Sequence, residues 1–152
     1  MPGAVRGRED SGVIVMMVRD VMTRELVTIG PATPCDKARR LMDEHRIRHL
    51  PVVADGRLVG IVSDRDLRSA AVQSSGPIAG QIMTPDPLTV TPETRVERAA
   101  RLMLAGRFGS LPVADGDQLV GIVTYTDLLH AFVRVIETAT EERIAVDFSG
   151  GP

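Results

Sequence analysis

An ungapped internal repeat constrains this chain more than any other feature. The stretch Gly60-Ile61-Val62-Ser63-Asp64-Arg65-Asp66-Leu67 returns sixty-one residues later as Gly121-Ile122-Val123-Thr124-Tyr125-Thr126-Asp127-Leu128. The same shift superposes Met22-Thr23 on Met83-Thr84, Leu41-Met42 on Leu102-Met103, and Leu50-Pro51-Val52 on Leu111-Pro112-Val113. From Met22 to Leu67, 20 of 46 positions are identical to their counterparts. Such a chain has to build two copies of one supersecondary unit.

Period and punctuation set the elements of each copy. Val27-Thr28-Ile29 and Leu88-Thr89-Val90 predict short strands, each ended by a proline two residues on. Thr33 then predicts a helix cap with Pro34 at the first helical position. Apolar residues at Cys35, Ala38, Leu41 and Met42, and at Val96, Ala99, Ala100 and Met103, give each helix one buried face. Cys35 matches Val96 and is therefore expected to serve packing. Two apolar runs around Asp55-Gly56, and around Asp115-Gly116-Asp117, predict hairpins. A closing helix follows each hairpin, from Asp64 to about Gln73 in the first copy. The expected fold class is α/β (α+β), with two β-α-β-β-α repeats packed as an approximate twofold pair. The expected divisions are a tail at 1–17 with a short strand at Val13–Met16, repeat 1 at 18–73, a linker at 74–78, repeat 2 at 79–138, and a loose tail at 139–152. Met16 and Met17 are both candidate starts.

Composition excludes several function classes. Lys+Arg number 18 against 20 Asp+Glu, a net charge of −2, so no global basic field invites nucleic acid. With no Trp, one Tyr and three Phe, few aromatic faces are available for stacking bases. His45, His49 and His130 show no metal-ligand spacing. The single cysteine, Cys35, forms no intramolecular disulfide and fits a reducing, cytoplasmic setting. The apolar run Val13–Val18 is too short to cross a bilayer. No catalytic triad, phosphate-cradling glycine loop or metal cluster is present in the sequence, so no enzyme activity is expected. Arg39, Arg40, Arg46 and Arg48 form a modest basic face of the kind that is ordinarily solvated.

The two Gly-Ile-Val junctions are the candidate sites. Each runs an apolar strand straight into a helix, with a hydroxyl (Ser63, Thr124) at the junction and a carboxylate (Asp66, Asp127) three residues later. A helix start offers unpaired N–H groups and partial positive charge to an anion, and a carboxylate one turn in can accept bonds from sugar hydroxyls. The same spacing is also the capping box, in which the two side chains satisfy the helix itself. Thr33/Asp36 and Thr94/Glu97 share that spacing, so capping alone could account for all four. Ser63 and Thr124 stand apart because they follow a strand with no intervening loop, where ligands gather in open α/β layers.

These motifs together, in register from Val18 to about Val135, resemble the tandem cystathionine-β-synthase (CBS) domain pair, or Bateman module. The resemblance implies two clefts between facing sheets that take AMP, ADP, ATP or S-adenosylmethionine. It implies that Asp66 and Asp127 hold ribose hydroxyls and that Ser63 and Thr124 meet the phosphate. It further implies that Thr28 and Thr89, with Leu50-Pro51 and Leu111-Pro112, line the adenine slots by backbone and apolar contact. Family members often carry basic residues shortly before the Leu-Pro strand. Repeat 1 has Arg48 and His49 there, and Arg65 in its Ser-x-x-Asp turn; repeat 2 has Gly109, Ser110 and Thr126. Two unequal clefts are therefore expected: the one centred on Asp66 is the tighter, unless in an approximate twofold pair the basic side chains of repeat 1 reach across to the phosphate held by repeat 2.

The reading that follows is a stand-alone regulatory module that binds an adenine nucleotide as a regulatory ligand and signals occupancy to a regulated protein, with no nucleic-acid or membrane partner. The rival is a structural dimerisation module with degenerate, empty clefts. The apolar stripe Leu128, Phe132, Val135, Ile136 and Ala139 outlasts its counterpart in the first closing helix and predicts a homodimer.

Overall fold

The computed structural model describes residues 14–71 and 76–148, with side chains described through Glu141. Its elements in chain order are α1 (Val18–Val21), α2 (Cys35–His45), β1 (His49–Ala54), β2 (Arg57–Ser63), α3 (Asp64–Ala70), α4 (Ala79–Ile82), β3 (Thr84–Pro85), α5 (Val96–Gly106), β4 (Ser110–Asp115), β5 (Gln118–Thr124) and α6 (Tyr125–Phe148). Mixed helices and small sheets confirm the expected fold class.

Each repeat centres on an antiparallel hairpin, β1 with β2 and β4 with β5. Asp55 (φ 50°) and Gly56 (φ 74°) both take the left-handed conformation that a two-residue hairpin turn of this twist requires. A bulge in each hairpin, between Val52 and Val53 and between Val113 and Ala114, falls beside the segment expected to form the first strand. That strand is reduced to one residue per copy. Ile29 pairs in parallel with Val52, and Val90 with Val113. The Ile29 N–H donates to Pro51 C=O at 3.0 Å and its C=O accepts from Val53 N–H at 2.8 Å. Pro31 and Pro92 turn the chain away before a second pair of bonds can form.

The helices bury the faces their periodicity predicts: Cys35, Ala38 and Met42 in α2, Ala99 and Met103 in α5. Their starts differ from expectation. Pro34 and Arg95 occupy the cap positions, and neither helix has a side-chain cap. Thr33 and Thr94 lie one residue further out, where each hydroxyl accepts from the N–H three residues earlier, that of Gly30 at 3.1 Å and that of Thr91 at 3.0 Å. These two capping boxes therefore do not form. Of the first closing helix, the part expected beyond Ala71 lies outside the described residues. The last helix continues through Glu141 to Phe148, where a loose tail was expected. Its residues 141–148 contain no Gly or Pro and are propensity-compatible with continuation.

The opening segments of the repeats are exchanged. Thr23 pairs with Ile122 of β5, and Val18 N–H donates to Thr94 C=O at 2.7 Å. Reciprocally, Thr84 pairs with Ile61 of β2, and Ala79 N–H donates to Thr33 C=O at 2.8 Å. Two apolar cores follow. One gathers Leu50, Val52, Val62, Met42 and Leu67 of repeat 1 with Ala79 from the start of repeat 2. The other gathers Leu111, Val113, Val123 and Met103 with Val18 and Met22 from the start of repeat 1. Residues 14–17, assigned to a tail from the sequence, belong to this exchange. Met16 is 5% exposed and Met17 bridges to Arg95, while Val13 lies outside the described residues.

Exchange also explains the glycines of the two Gly-Ile-Val strands. A Cβ on Gly121 would lie 2.7 Å from the Met22 sulfur and 3.0 Å from Thr23 C=O, and one on Gly60 would collide with the Met83 side chain. Methionine and glycine recur together because each crossing segment lays its methionine on the opposite repeat's strand.

Candidate functional site

Of the four Ser/Thr capping boxes expected from spacing, those at the strand–helix junctions β2–α3 and β5–α6 form. Ser63 Oγ accepts from Asp66 N–H at 3.1 Å, and Asp66 Oδ2 accepts from Ser63 N–H at 2.8 Å. In repeat 2, Thr124 Oγ1 accepts from Asp127 N–H at 3.3 Å, and Asp127 Oδ2 accepts from Thr124 N–H at 2.9 Å. Each carboxylate is thereby held in a fixed orientation at a helix start. Capping and ligand binding are compatible here, because a carboxylate has about four lone-pair sites and the box uses few of them.

Packing of β2 against β5 brings the two junctions together. Between them lies a cavity of about 770 Å³, within the range of small-molecule sites. One wall is built from repeat 2: Thr124, Thr126 and Asp127 around the start of α6, with Arg107 and Gly109. The facing wall is built from repeat 1: Arg48, His49, Pro51, Ser63 and Arg65. The segment Thr23–Val27 closes one side.

Of the two expected arrangements of charge, the cavity has the cross-repeat one. Arg48, His49 and Arg65 line the cavity whose lining carboxylates include Asp127, while Asp66 is not among its lining residues. Arg65 and Asp66 are adjacent on a helix, so their side chains diverge by about 100° and face different surroundings. Nor do Thr28, Leu50, Thr89, Leu111 and Pro112 line this cavity. Leu50 and Leu111 are 0% and 1% exposed in the two cores, which leaves only their backbones for a ligand. Thr28 and Thr89 are exposed.

Two features escaped sequence reasoning. The first is Thr23, whose hydroxyl donates to Asp127 Oδ1 at 3.1 Å from the opposite repeat. Its signal was the Met-Thr start shared by both repeats, but the exchange that gives the hydroxyl a partner is a tertiary event. The second is the cause of the Gly109 departure. A Cβ on Gly109 would stand 2.8 Å from His49 Nε2, so the imidazole occupies the space a side chain there would need. Burial pushes the His49 pKa below its ordinary value; Asp64 and then Asp66 oppose this, and Arg48 adds to it. The Cys35 thiol is buried in the first core and pushed up, by burial and then by Asp36. Among the described residues no group of His, Cys, Asp and Glu could hold a metal ion. Nor is any described helix long and apolar enough to cross a membrane.

Two exchanged α/β units enclosing a cavity lined by residues of both define the class: a tandem α/β repeat module. The CBS domain model matches residues 18–73 and 79–134, and the chain belongs to the CBS domain family. It is 35% identical over 137 residues to a CBS domain-containing protein of Dictyostelium discoideum, covering 80% of this chain and 94% of that one. It is 35% identical over 129 residues to inosine-5'-monophosphate dehydrogenase of Korarchaeum cryptofilum, covering 84% of this chain and only 27% of that enzyme. Among solved structures, CBSX2 in complex with AMP matches with TM-score 0.69 and 37% identity over 78% of this chain and 97% of that one. A CBS domain pair in complex with 5-methylthioadenosine and S-adenosyl-L-methionine matches with TM-score 0.74 and 29% identity, over 78% and 96%.

Proposed function

We propose that this chain is a regulatory module, not an enzyme, that takes an adenine nucleotide into the cavity between the repeats and signals occupancy to a partner protein. One observation carries the reading: a fixed carboxylate, Asp127, at the start of a long helix faces Arg48, His49 and Arg65 across a single cavity of about 770 Å³. Asp127 accepts ribose hydroxyls, the start of α6 with Thr124 meets phosphate from one side, and Arg48 and Arg65 meet it from the other by charge-assisted bonds. Pro51 and Val27 offer apolar contact to the base. AMP in one similar structure, and 5-methylthioadenosine with S-adenosyl-L-methionine in another, support the adenosine part. A thermal-shift panel of AMP, ADP, ATP, S-adenosylmethionine and NAD tests it, since a ligand that binds only the folded state raises Tm. No shift with any adenosine compound at millimolar concentration overturns the reading.

The module works as a homodimer in a reducing, cytoplasmic setting. Phe132 and Ile136 are 60% and 47% exposed on α6. Phe132 lines an apolar groove of about 430 Å³ with Val96, Ala100, Leu104, Leu128 and Val135. A second copy burying this face removes it from water. Light scattering at tens of micromolar returns twice 16.4 kDa if this holds, and the monomer mass overturns it.

A further inference from the structure

One face of the repeats differs in character between the two copies. In repeat 2, Ala100 and Leu104 of α5 and Tyr125 and Leu129 of α6 line the apolar groove. Their counterparts under the repeat shift are Arg39, Asp43, Asp64 and Arg68. Arg39, Asp43 and Arg68 are exposed, and Arg68 pairs with Asp64 at 3.5 Å. The same stretch of backbone thus presents an apolar surface in repeat 2 and a solvated, charged one in repeat 1. Leu104 and Leu129 are 72% and 64% exposed, so packing within one copy does not call for apolar residues there. The difference therefore reflects what each face meets outside the chain.

The repeat 2 face is also self-complementary. Leu129, Phe132, Val133 and Ile136, all exposed, follow at i, i+3, i+4 and i+7 along α6 and form a ridge. Beside it lies the groove, where the small side chains of Ala100 and Ala131 leave room. Of the described residues lining the groove only Glu97 is charged, and it pairs with Arg95 at 3.5 Å. A twofold interface uses the same patch on both copies, and a ridge beside a groove lets each copy lay its ridge in the other's groove. A head-to-tail pair would instead set this patch on the repeat 1 face of the next copy. Arg39, Asp43 and Arg68 would then lose water with only apolar side chains opposite, a net cost.

We infer that two copies of this chain meet repeat 2 to repeat 2 about a twofold axis, and that the corresponding face of repeat 1 stays outside the contact. This rests on the homodimer reading above and names the face that carries it. Tyr125 lines the cavity between the repeats as well as the groove, so the seated copy adjoins that cavity. The full chain is measured by light scattering at tens of micromolar as native protein, Leu129→Arg, Leu129→Asp and Arg39→Glu/Arg68→Glu. All the substituted side chains are exposed, and circular dichroism checks that each variant is folded. If Leu129→Arg does not fold, Phe132→Asp on the same ridge takes its place. The native protein and Arg39→Glu/Arg68→Glu are expected at twice 16.4 kDa, and each Leu129 variant alone at 16.4 kDa. An equimolar mixture of Leu129→Arg and Leu129→Asp is expected to recover the doubled mass, because the twofold axis sets the two ridges side by side. A dimer that survives Leu129→Arg, a dimer lost in Arg39→Glu/Arg68→Glu, or a mixture that stays monomeric overturns the inference and leaves the homodimer reading standing. Native protein at 16.4 kDa removes both.

Discussion

The Thr23 hydroxyl reaches Asp127 Oδ1 at 3.1 Å and Oδ2 at 3.3 Å, although 104 residues of chain separate them. This bond ties the opening segment of repeat 1 to the carboxylate that faces the cavity from repeat 2. Its counterpart is missing. Among the described residues Thr84 makes no bond to Asp66, whose only side-chain bond is the Ser63 box. The repeats therefore differ in how firmly each carboxylate is fixed.

Thr23→Val removes the hydroxyl while keeping the shape. It is expected to lower unfolding free energy by about 0.5–1.5 kcal/mol, the net contribution of one hydrogen bond. Thr84→Val, whose hydroxyl has no bond among the described residues, is expected to stay within about 0.5 kcal/mol. Urea denaturation of the two variants checks the difference, and equal losses remove the cross-repeat bond from the account.

Asp66 and Asp127 both complete capping boxes, so replacing either with Ala costs stability, about 1 kcal/mol per cap. Their effects on ligand are expected to part. Asp127→Ala weakens nucleotide binding in the shared cavity by about 1–3 kcal/mol, or one to two decades in affinity. Asp66→Ala leaves that affinity within about threefold, because Asp66 does not line the cavity. Calorimetry on the two proteins decides it, and equal losses return the site to a symmetric pair.

The Met83 side chain lies where a Cβ on Gly60 would have to go. Gly60→Ala is expected to destabilise the fold by about 1–3 kcal/mol through overpacking. Met83→Ala opens the space at its own cost. In the double variant the two losses add to less than their sum, by 0.5 kcal/mol or more, because the residues are in contact. Strict additivity in a double-mutant cycle would show that the glycine serves something other than the methionine.

The sequence made the repeated architecture legible because its signals are local. Asp55-Gly56 dictates a hairpin, the helix faces follow from spacing, and Ser63/Asp66 and Thr124/Asp127 form the bonds their spacing allows. What stayed hidden depended on which copy a segment joins. Met22-Thr23 and Met83-Thr84 pack on the opposite repeat, and a repeat shift is blind to such exchange because both arrangements have the same sequence. Whether Arg48, His49 and Arg65 face their own repeat's carboxylate or Asp127 was left open for the same reason. Thr33 and Thr94 misled because a capping spacing displaced by one residue reads identically.

His49 sits half-buried in the repeat 1 wall with its ring against Gly109 of repeat 2. Burial depresses its pKa below the ordinary 6.5, against the pull of Asp64 and Asp66 and with the help of Arg48. The unfolded chain therefore binds a proton more readily than the folded one, and stability rises with pH wherever that holds. The contribution of neutral His49 is fully present above 6.5 and is lost as pH falls from there through the depressed folded value. His49→Gln removes the titration, so its unfolding free energy is expected to fall less steeply than the native protein's below pH 6.5. A bound phosphate reverses the balance by favouring the charged imidazole, and nucleotide binding near neutral pH is then accompanied by proton uptake. Calorimetry in two buffers of different ionisation enthalpy measures that uptake directly. Identical proton uptake in the native and His49→Gln proteins would assign it to another group and leave His49 as packing between the repeats.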